Sequence, residues 1–200
     1  PSVTDLAEVA HGEGIDVVLT DDPDVLPVRA EIHGAHPELL VVGGFPRLLS
    51  PRVLTLAPKG GLNVHPGRLP AERGPAPVFW ALKNGHTRVG VTVHALDAGE
   101  DSGDVISTAE VSFEPGTDGL DVHRRAAHAA APLLVRAIRA TLAGDVVRIP
   151  QPQVGRGRCP RPTFRDGLID PRQRAVDVYT FVGGCARHYS LFVEIAGDRF

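Results

Sequence analysis

Gly61-Leu62-Asn63-Val64-His65-Pro66-Gly67-Arg68-Leu69-Pro70 reads as a strand end entering a rigid loop. Leu62 and Val64 alternate with Asn63 and His65, the two-residue period of a strand. Pro66, Gly67 and Pro70 then halt regular structure. An amide and an imidazole therefore stand two residues apart on one side of a strand tip. In an open α/β sheet, chemistry gathers in the crevice beyond the carboxyl ends of the strands.

Upstream, Ser2 to Ala10 has the apolar spacing of a short helix, and Ile15 to Leu19 is a continuous apolar run. Such a run marks a strand covered on both faces. Val25 to His36 reads as a helix and Leu39 to Val42 as another buried strand, with Gly43-Gly44-Phe45-Pro46-Arg47 as its exit loop. Ser50-Pro51 is an N-cap and first-turn pair for a helix to about Leu56. Downstream, Ala76 to Asn84 spells a helix with Val78, Phe79, Ala81 and Leu82 on its apolar face. Arg88 to Leu96 and Val105 to Phe113 are strands, separated by the acidic loop Asp97 to Gly103. Thr117-Asp118 caps a helix from Gly119 to Ala143, whose apolar residues include Leu120, Ala127, Ala130, Leu134, Ile138 and Leu142. Pro150, Pro152, Pro160 and Pro162 suggest a linker. A helix from Arg172 to about Phe181 and a strand from Leu191 to Ile195 end the chain.

Alternating strands and helices imply an α/β domain with a largely parallel sheet, the strands at 89–96 and 105–113 running antiparallel. The expected organisation is a main α/β domain at residues 1–147, an Arg/Pro-rich linker at 148–165 and a small C-terminal appendage at 166–200.

The apolar fraction of 42% supports a substantial core. Cys159 and Cys185 stand far apart, in no metal-ligand spacing. That excludes a disulfide framework or a cysteine metal centre and fits a reducing cytoplasm. No metal site is expected. No apolar run approaches the length of a membrane span, and no signal peptide is visible. The net charge of −3 makes no general case for nucleic acid. Seven arginines between Arg148 and Arg174 depart from that average. They read as a solvated linker or as a patch for phosphate or nucleic acid.

Asn63, His65 and Asp101 form a trio suited to acyl transfer. An amide N–H stabilises a developing oxyanion, an imidazole acts as general acid or base, and a carboxylate orients that imidazole and holds its charge. No G-x-S-x-G elbow occurs, so direct transfer to an incoming nucleophile is more natural than a covalent enzyme intermediate.

The motifs between Gly61 and Ile106 occur in a fixed order: Asn63-Val64-His65, Leu69-Pro70, Arg73-Gly74, Gly90-Val91-Thr92-Val93-His94 and Asp101-Ser102-Gly103. In this the segment resembles the core of the folate-dependent formyltransferases. That family includes glycinamide ribonucleotide, methionyl-tRNA and sugar-nucleotide enzymes, and the motifs lie nearest the last two. The resemblance implies a Rossmann-like formyltransferase sheet and 10-formyltetrahydrofolate as formyl donor. It implies that Asn63 bonds the formyl oxygen, that His65 stabilises the tetrahedral intermediate and moves a proton, and that Asp101 orients His65. Phe45, Arg47, Leu48 and Leu49 resemble the stretch that wraps the pterin, and Ala95, Leu96, Asp97 and Ala98 the second folate loop. His94 is read as supporting the trio or as merely strand-terminal.

The chain departs from the family by lacking its usual opening: a first strand, a glycine-containing loop and a first helix. An apolar sheet edge would then be exposed, unless the sheet is reorganised, another chain covers the edge, or the protein is a reduced relative; a homodimer contact is the expected compensation. The resemblance favours an N-formyltransferase acting on a small amine, such as an amino sugar or amino-acid-type metabolite. The other readings are a relative of methionyl-tRNA formyltransferase that takes tRNA, a 10-formyltetrahydrofolate hydrolase, and a non-catalytic folate- or partner-binding module.

Overall fold

The computed structural model describes residues 3–195 and 198–199. Ser2, at the expected helix start, and Ala196-Gly197, in the expected C-terminal stretch, lie outside the described residues. The central sheet has the order β1 (Leu40–Gly43), β2 (Gly61–His65), β3 (Arg88–Ala95), β4 (Val105–Ser112). Only β1 and β2 are parallel; β2 pairs antiparallel with β3, and β3 with β4. The expectation of a largely parallel sheet is thereby corrected. The short loop between β3 and β4 permits antiparallel return, whereas β2 and β3 are joined by a longer, helix-bearing connection and pair antiparallel all the same. The Asn84-Gly85 turn between α4 (Pro77–Lys83) and β3 brings the chain back with reversed direction.

The two faces of the sheet do different work, because side chains alternate along a strand. Leu62 and Val93, both fully buried, point to the face covered by α5 (Gly119–Ala143), where they meet Leu133 and Ala137. Val91 packs beside Ala126 and Ala130 on the same helix. The intervening residues Asn63, His65, Thr92 and His94 fall on the opposite face, where register pairs Asn63 with His94 and His65 with Thr92. A register shift in the β3–β4 pairing sits beside His94, a common device near sites that must aim a side chain.

Helix α5 has the expected limits. Asp118 accepts the Leu120 N–H at its start, and Gly144 at φ +85° ends it. Its buried stripe is Val122, Ala126, Ala130, Leu133, Ala137 and Thr141. The expected stripe differs: Leu120 and Leu142 are exposed, while Leu134 and Ile138 lie at the margin of the core. Alanines at the centre let the helix approach the sheet, and the larger residues fill the flanks.

Ile15 to Leu19 is not a strand. Ile15, Val18 and Leu19 are exposed, and the only regular elements nearby are α1 (Val3–Gly12) and α2 (Leu26–Gly34). A β-prone run becomes a strand only where a sheet edge accepts it, and among the described residues none pairs with it. The helix expected through Leu56 is shorter, α3 (Pro51–Leu54).

The arginine- and proline-rich stretch packs against the sheet rather than away from it. Ile149 bridges Val105, the Gly157 N–H donates to the Pro70 carbonyl, and the Cys159 N–H donates to that of Arg73. Beyond it, α6 (Ala175–Cys185) buries Phe181 and Cys185 in one cluster with Val78, Phe79, Leu82 and Val122. Two short strands, β5 (Glu194–Ile195) and β6 (Asp198–Arg199), pair antiparallel beyond it. No helix among the described residues is long and apolar enough to cross a membrane.

Candidate active site

The loop after β2 folds back over the polar face of the sheet. Two contacts hold it there. Thr92 donates its hydroxyl to the Gly67 carbonyl at 2.7 Å. Gly90 lies directly beneath Arg68, where a Cβ would come within 2.7 Å of the Arg68 nitrogen. His65, 3% exposed, is anchored by this loop: its Nε2 lies 2.6 Å from the Glu72 carbonyl. A carbonyl only accepts, so Nε2 carries the hydrogen. In the neutral ring Nδ1 is then a free lone pair, and it faces Asp101 Oδ2 at 3.5 Å.

Asp101 reaches the same face from the β3–β4 loop, in a left-handed backbone conformation with φ +48°. Strain of this kind at a non-glycine residue persists only where its surroundings over-determine it. They do so here. Gly74 N–H donates to Oδ2 at 2.8 Å, and Asn63 Nδ2 to Oδ1 at 3.3 Å. Gly103 sits so close to Ala95 that a Cβ would meet its carbonyl oxygen at 1.9 Å.

The Asn63 amide spans Asp101 and His94, whose Nε2 is 3.1 Å away. The His94 Nδ1 donates to the Ala95 carbonyl at 2.8 Å, which in the neutral ring makes Nε2 the acceptor. Both Asn63 neighbours being acceptors, the NH₂ group must point to them, and the amide orientation is determined. The His94 Nε2–Asp101 Oδ1 approach of 3.4 Å is longer than a good hydrogen bond. His94 was legible only as a neighbour of the site; cross-strand pairing makes it a direct partner of Asn63 and sets it beside Asp101.

Burial is the largest influence on His65. It lowers the pKa below the ordinary 6.5, although the Asp101 carboxylate pulls the other way. For Asp101 burial again acts most strongly, here raising the pKa. His94, the His65 charge and the Gly74 N–H together outweigh it, leaving the carboxyl below its usual range. At neutral pH the arrangement is an uncharged imidazole with a lone pair facing a carboxylate. That pair is built to receive one proton.

The structure therefore brings Asn63, His65 and Asp101 together and adds His94. The stretches expected to hold a cofactor flank them. Gly43, at the end of β1, pairs with Val64, whereas Ala95, at the end of β3, pairs with Leu62. Phe45 and Leu49 are half-buried; Leu48 is exposed, and Arg47 lies 3.9 Å from Asp22. Ala95 is buried and Leu96 lies over Gly61. Ala98 is exposed, and the exposed Asp97 turns its carboxylate back onto the Gly99 N–H and the Ser102 hydroxyl. Among the described residues, no hydrogen bond or ion pair joins Phe45–Leu49 to the trio.

Beside Asp101 opens a cavity of about 480 Å³ lined by Arg73, Glu100, Ser102, Arg156, Gly157 and Arg158. Arg158 makes a two-pronged pair with Glu100 at 2.6 and 2.9 Å. Burial, and then the neighbouring Arg156 charge, lower the pKa of Arg73. Two guanidinium groups thus face one space, a setting for an anion. A second cavity of about 160 Å³ lies among α4, α5 and α6, is lined largely by apolar residues such as Phe79 and Leu82, and shares no residue with the trio.

The α/β sheet thus gathers an amide, an imidazole and a carboxylate on one face, beneath the loop that follows β2. Comparison with known proteins identifies the family: residues 26–138 match the family model described as formyl transferase, and the chain belongs to that family. The methionyl-tRNA formyltransferase of Syntrophus aciditrophicus is 38% identical over 148 residues, covering 74% of this chain and 46% of that protein. That of Symbiobacterium thermophilum is 35% identical over 172 residues, covering 86% and 53%. The chain spans about half the length of the curated relatives it matches. Among solved structures, HypX from Aquifex aeolicus in complex with tetrahydrofolic acid superposes with a TM-score of 0.71 at 20% identity, covering 89% of this chain and 30% of that one. An N-formyltransferase from Helicobacter canadensis, in complex with folinic acid and dTDP-3-aminofucose, gives 0.71 at 16% identity, covering 96% and 68%. At these identities the structural likeness establishes the fold.

Proposed function

We propose that the protein is a transferase of one-carbon metabolism that moves a formyl group from 10-formyltetrahydrofolate to a primary amine. The observation that carries this reading is the proton-accepting pair of His65 Nδ1 and Asp101 beside the Asn63 amide, in a chain of this family. The amine nitrogen attacks the formyl carbon, and the carbonyl electron pair moves onto oxygen. Asn63 turns one N–H from its resting acceptors to that oxyanion, and such a donor is typically worth about 3–4 kcal/mol. The amine proton passes to His65 Nδ1, and the resulting imidazolium is stabilised by Asp101. Collapse breaks the bond to the folate nitrogen, which takes the proton from His65. The products are the formamide and tetrahydrofolate. Phe45, Arg47, Leu48 and Leu49 on one flank, and Ala95, Leu96, Asp97 and Ala98 on the other, are the proposed walls of the folate cleft.

The proposed acceptor is a small amine carrying phosphate, such as a nucleotide-linked amino sugar, entering through the arginine-lined cavity. The identity to methionyl-tRNA formyltransferases favours a second acceptor, an aminoacyl-tRNA, which would use the same arginines on its backbone. Incubation with 10-formyltetrahydrofolate and each acceptor, following folate absorbance, tests the activity and separates the two. Turnover only with charged tRNA, falling steeply with salt, selects the second reading. Release of formate without any amine identifies a hydrolase. Tight folate binding without turnover identifies a binding module.

The same proposal includes a cytoplasmic homodimer. Strand β1 is a sheet edge among the described residues, and Val41, Leu6, Val9, Val18 and Leu19 expose apolar surface. Pairing of two such edges would cover it. A monomer mass in sedimentation at micromolar concentration would count against the dimer.

A further inference from the structure

Gln151 stands in a stretch, Pro150-Gln151-Pro152, that reads as linker, yet it is 9% exposed and fully engaged. Its Nε2 donates to the backbone carbonyls of Asp101 at 2.8 Å and Gly103 at 2.7 Å. Its Oε1 accepts from Arg73 Nε at 3.1 Å and from Arg73 Nη2. Rotating the amide by half a turn would set oxygen against two carbonyls and NH₂ against a guanidinium, so only one orientation satisfies the site. Arg73 is itself followed by Gly74, whose N–H holds the Asp101 carboxylate. The residue pair 73–74 thus grips Asp101 twice, directly at its side chain and through Gln151 at its main chain. The anchor is firm, because Ile149, two residues before Gln151, exchanges hydrogen bonds with Val105 in both directions at 2.8 Å.

We propose that Gln151 is a positioning residue for Asp101: by tying the carbonyls of Asp101 and Gly103 to Arg73, it holds the left-handed turn that aims the carboxylate at His65. The inference rests on the proposed role of Asp101 but concerns a residue that touches neither donor nor acceptor. Without this tie Asp101 relaxes out of its φ of +48°. Its carboxylate then withdraws from the Gly74 N–H, His94 and His65, the groups that keep it ionised.

The test is a double-mutant cycle of Gln151→Leu with Asp101→Asn, assayed as formyl transfer in the full chain. Misplacement on an ångström scale lowers kcat on the order of 10- to 100-fold, while the folate KM stays within about threefold. In the Asp101→Asn background the same change should lower kcat by less than about threefold, since coupled residues are not additive. Equal losses in both backgrounds, or wild-type kcat in folded Gln151→Leu, would overturn the proposal. If Gln151→Leu does not fold, Gln151→Glu takes its place. It keeps the Arg73 contact and loses both carbonyl contacts, and the same loss is expected. If the wild type transfers formyl to no amine, the proposed activity fails, but the inference can still be read. A carboxyl-carbon NMR titration of Asp101 should move to higher pH in the Gln151 variant, and an unmoved titration refutes it.

Discussion

Replacement of Asp101 by asparagine keeps the shape of the side chain and an oxygen for the Gly74 N–H, but removes the charge facing His65. The structure sets the size of the effect. A unit charge pair at the observed 3.5 Å, in an effective dielectric of about 20, interacts by roughly 5 kcal/mol. The Asp101 side chain is 14% exposed, so water and the Asn63 and Gly74 dipoles screen part of that. Taking about half leaves 2–3 kcal/mol, or a fall in kcat of roughly 30- to 150-fold. The same loss of charge should push the His65 titration further down, because burial then acts without its main opponent. Single-turnover formyl transfer measures the first effect, and imidazole NMR titration the second. An Asp101→Asn enzyme within threefold of wild type, with an unmoved His65 titration, would refute the proton-transfer pair.

Further outcomes are expected. Asn63→Ala should lower kcat by about 10²- to 10³-fold with little change in folate affinity, as for loss of one oxyanion donor, measured by steady-state kinetics. The acidic limb of the kcat/KM profile should fall below pH 6.5, because a depressed His65 pKa keeps the base free until more acid is added. Stability should show the same sign. Below pH 6.5 the unfolded chain takes a proton that buried His65 resists, and at lower pH the contribution of ionised Asp101 is lost as well, so Tm should drop steadily on acidification. Leu62→Ala removes a fully buried side chain from the α5 face and should destabilise by about 2–5 kcal/mol in urea unfolding. Arg156→Ala should raise the KM for a phosphate-bearing acceptor several-fold and leave the folate KM alone.

Much of the local structure was legible because it is local physics. The alternation of Leu62, Asn63, Val64 and His65 marks β2 and separates its core face from its polar face. Asp118 and Gly144 bracket α5 by capping, which depends only on a few consecutive residues. The ordered motifs from Asn63 to Gly103 pointed to the family and to the trio. Three features needed the tertiary structure. Ile15 to Leu19 has strand composition, but a strand forms only by pairing with an edge, and sequence pattern carries no information about whether that pairing is made; among the described residues β1 keeps a free edge and the run does not join it. The direction of β2 against β3 is a property of the chain path, which periodicity does not encode. Above all, the partners of the site come from far along the chain. His94 meets Asn63 across a strand register, the carbonyl of Glu72 and the N–H of Gly74 are main-chain groups with no side-chain signature, and Gln151 lies 50 residues from Asp101. Sequence alone determined which groups could do the chemistry, since that is a matter of residue type and near spacing. Only the fold decided how each is held, because the hydrogen bonds that set a tautomer, an amide orientation or a strained turn are made between segments that folding alone brings together.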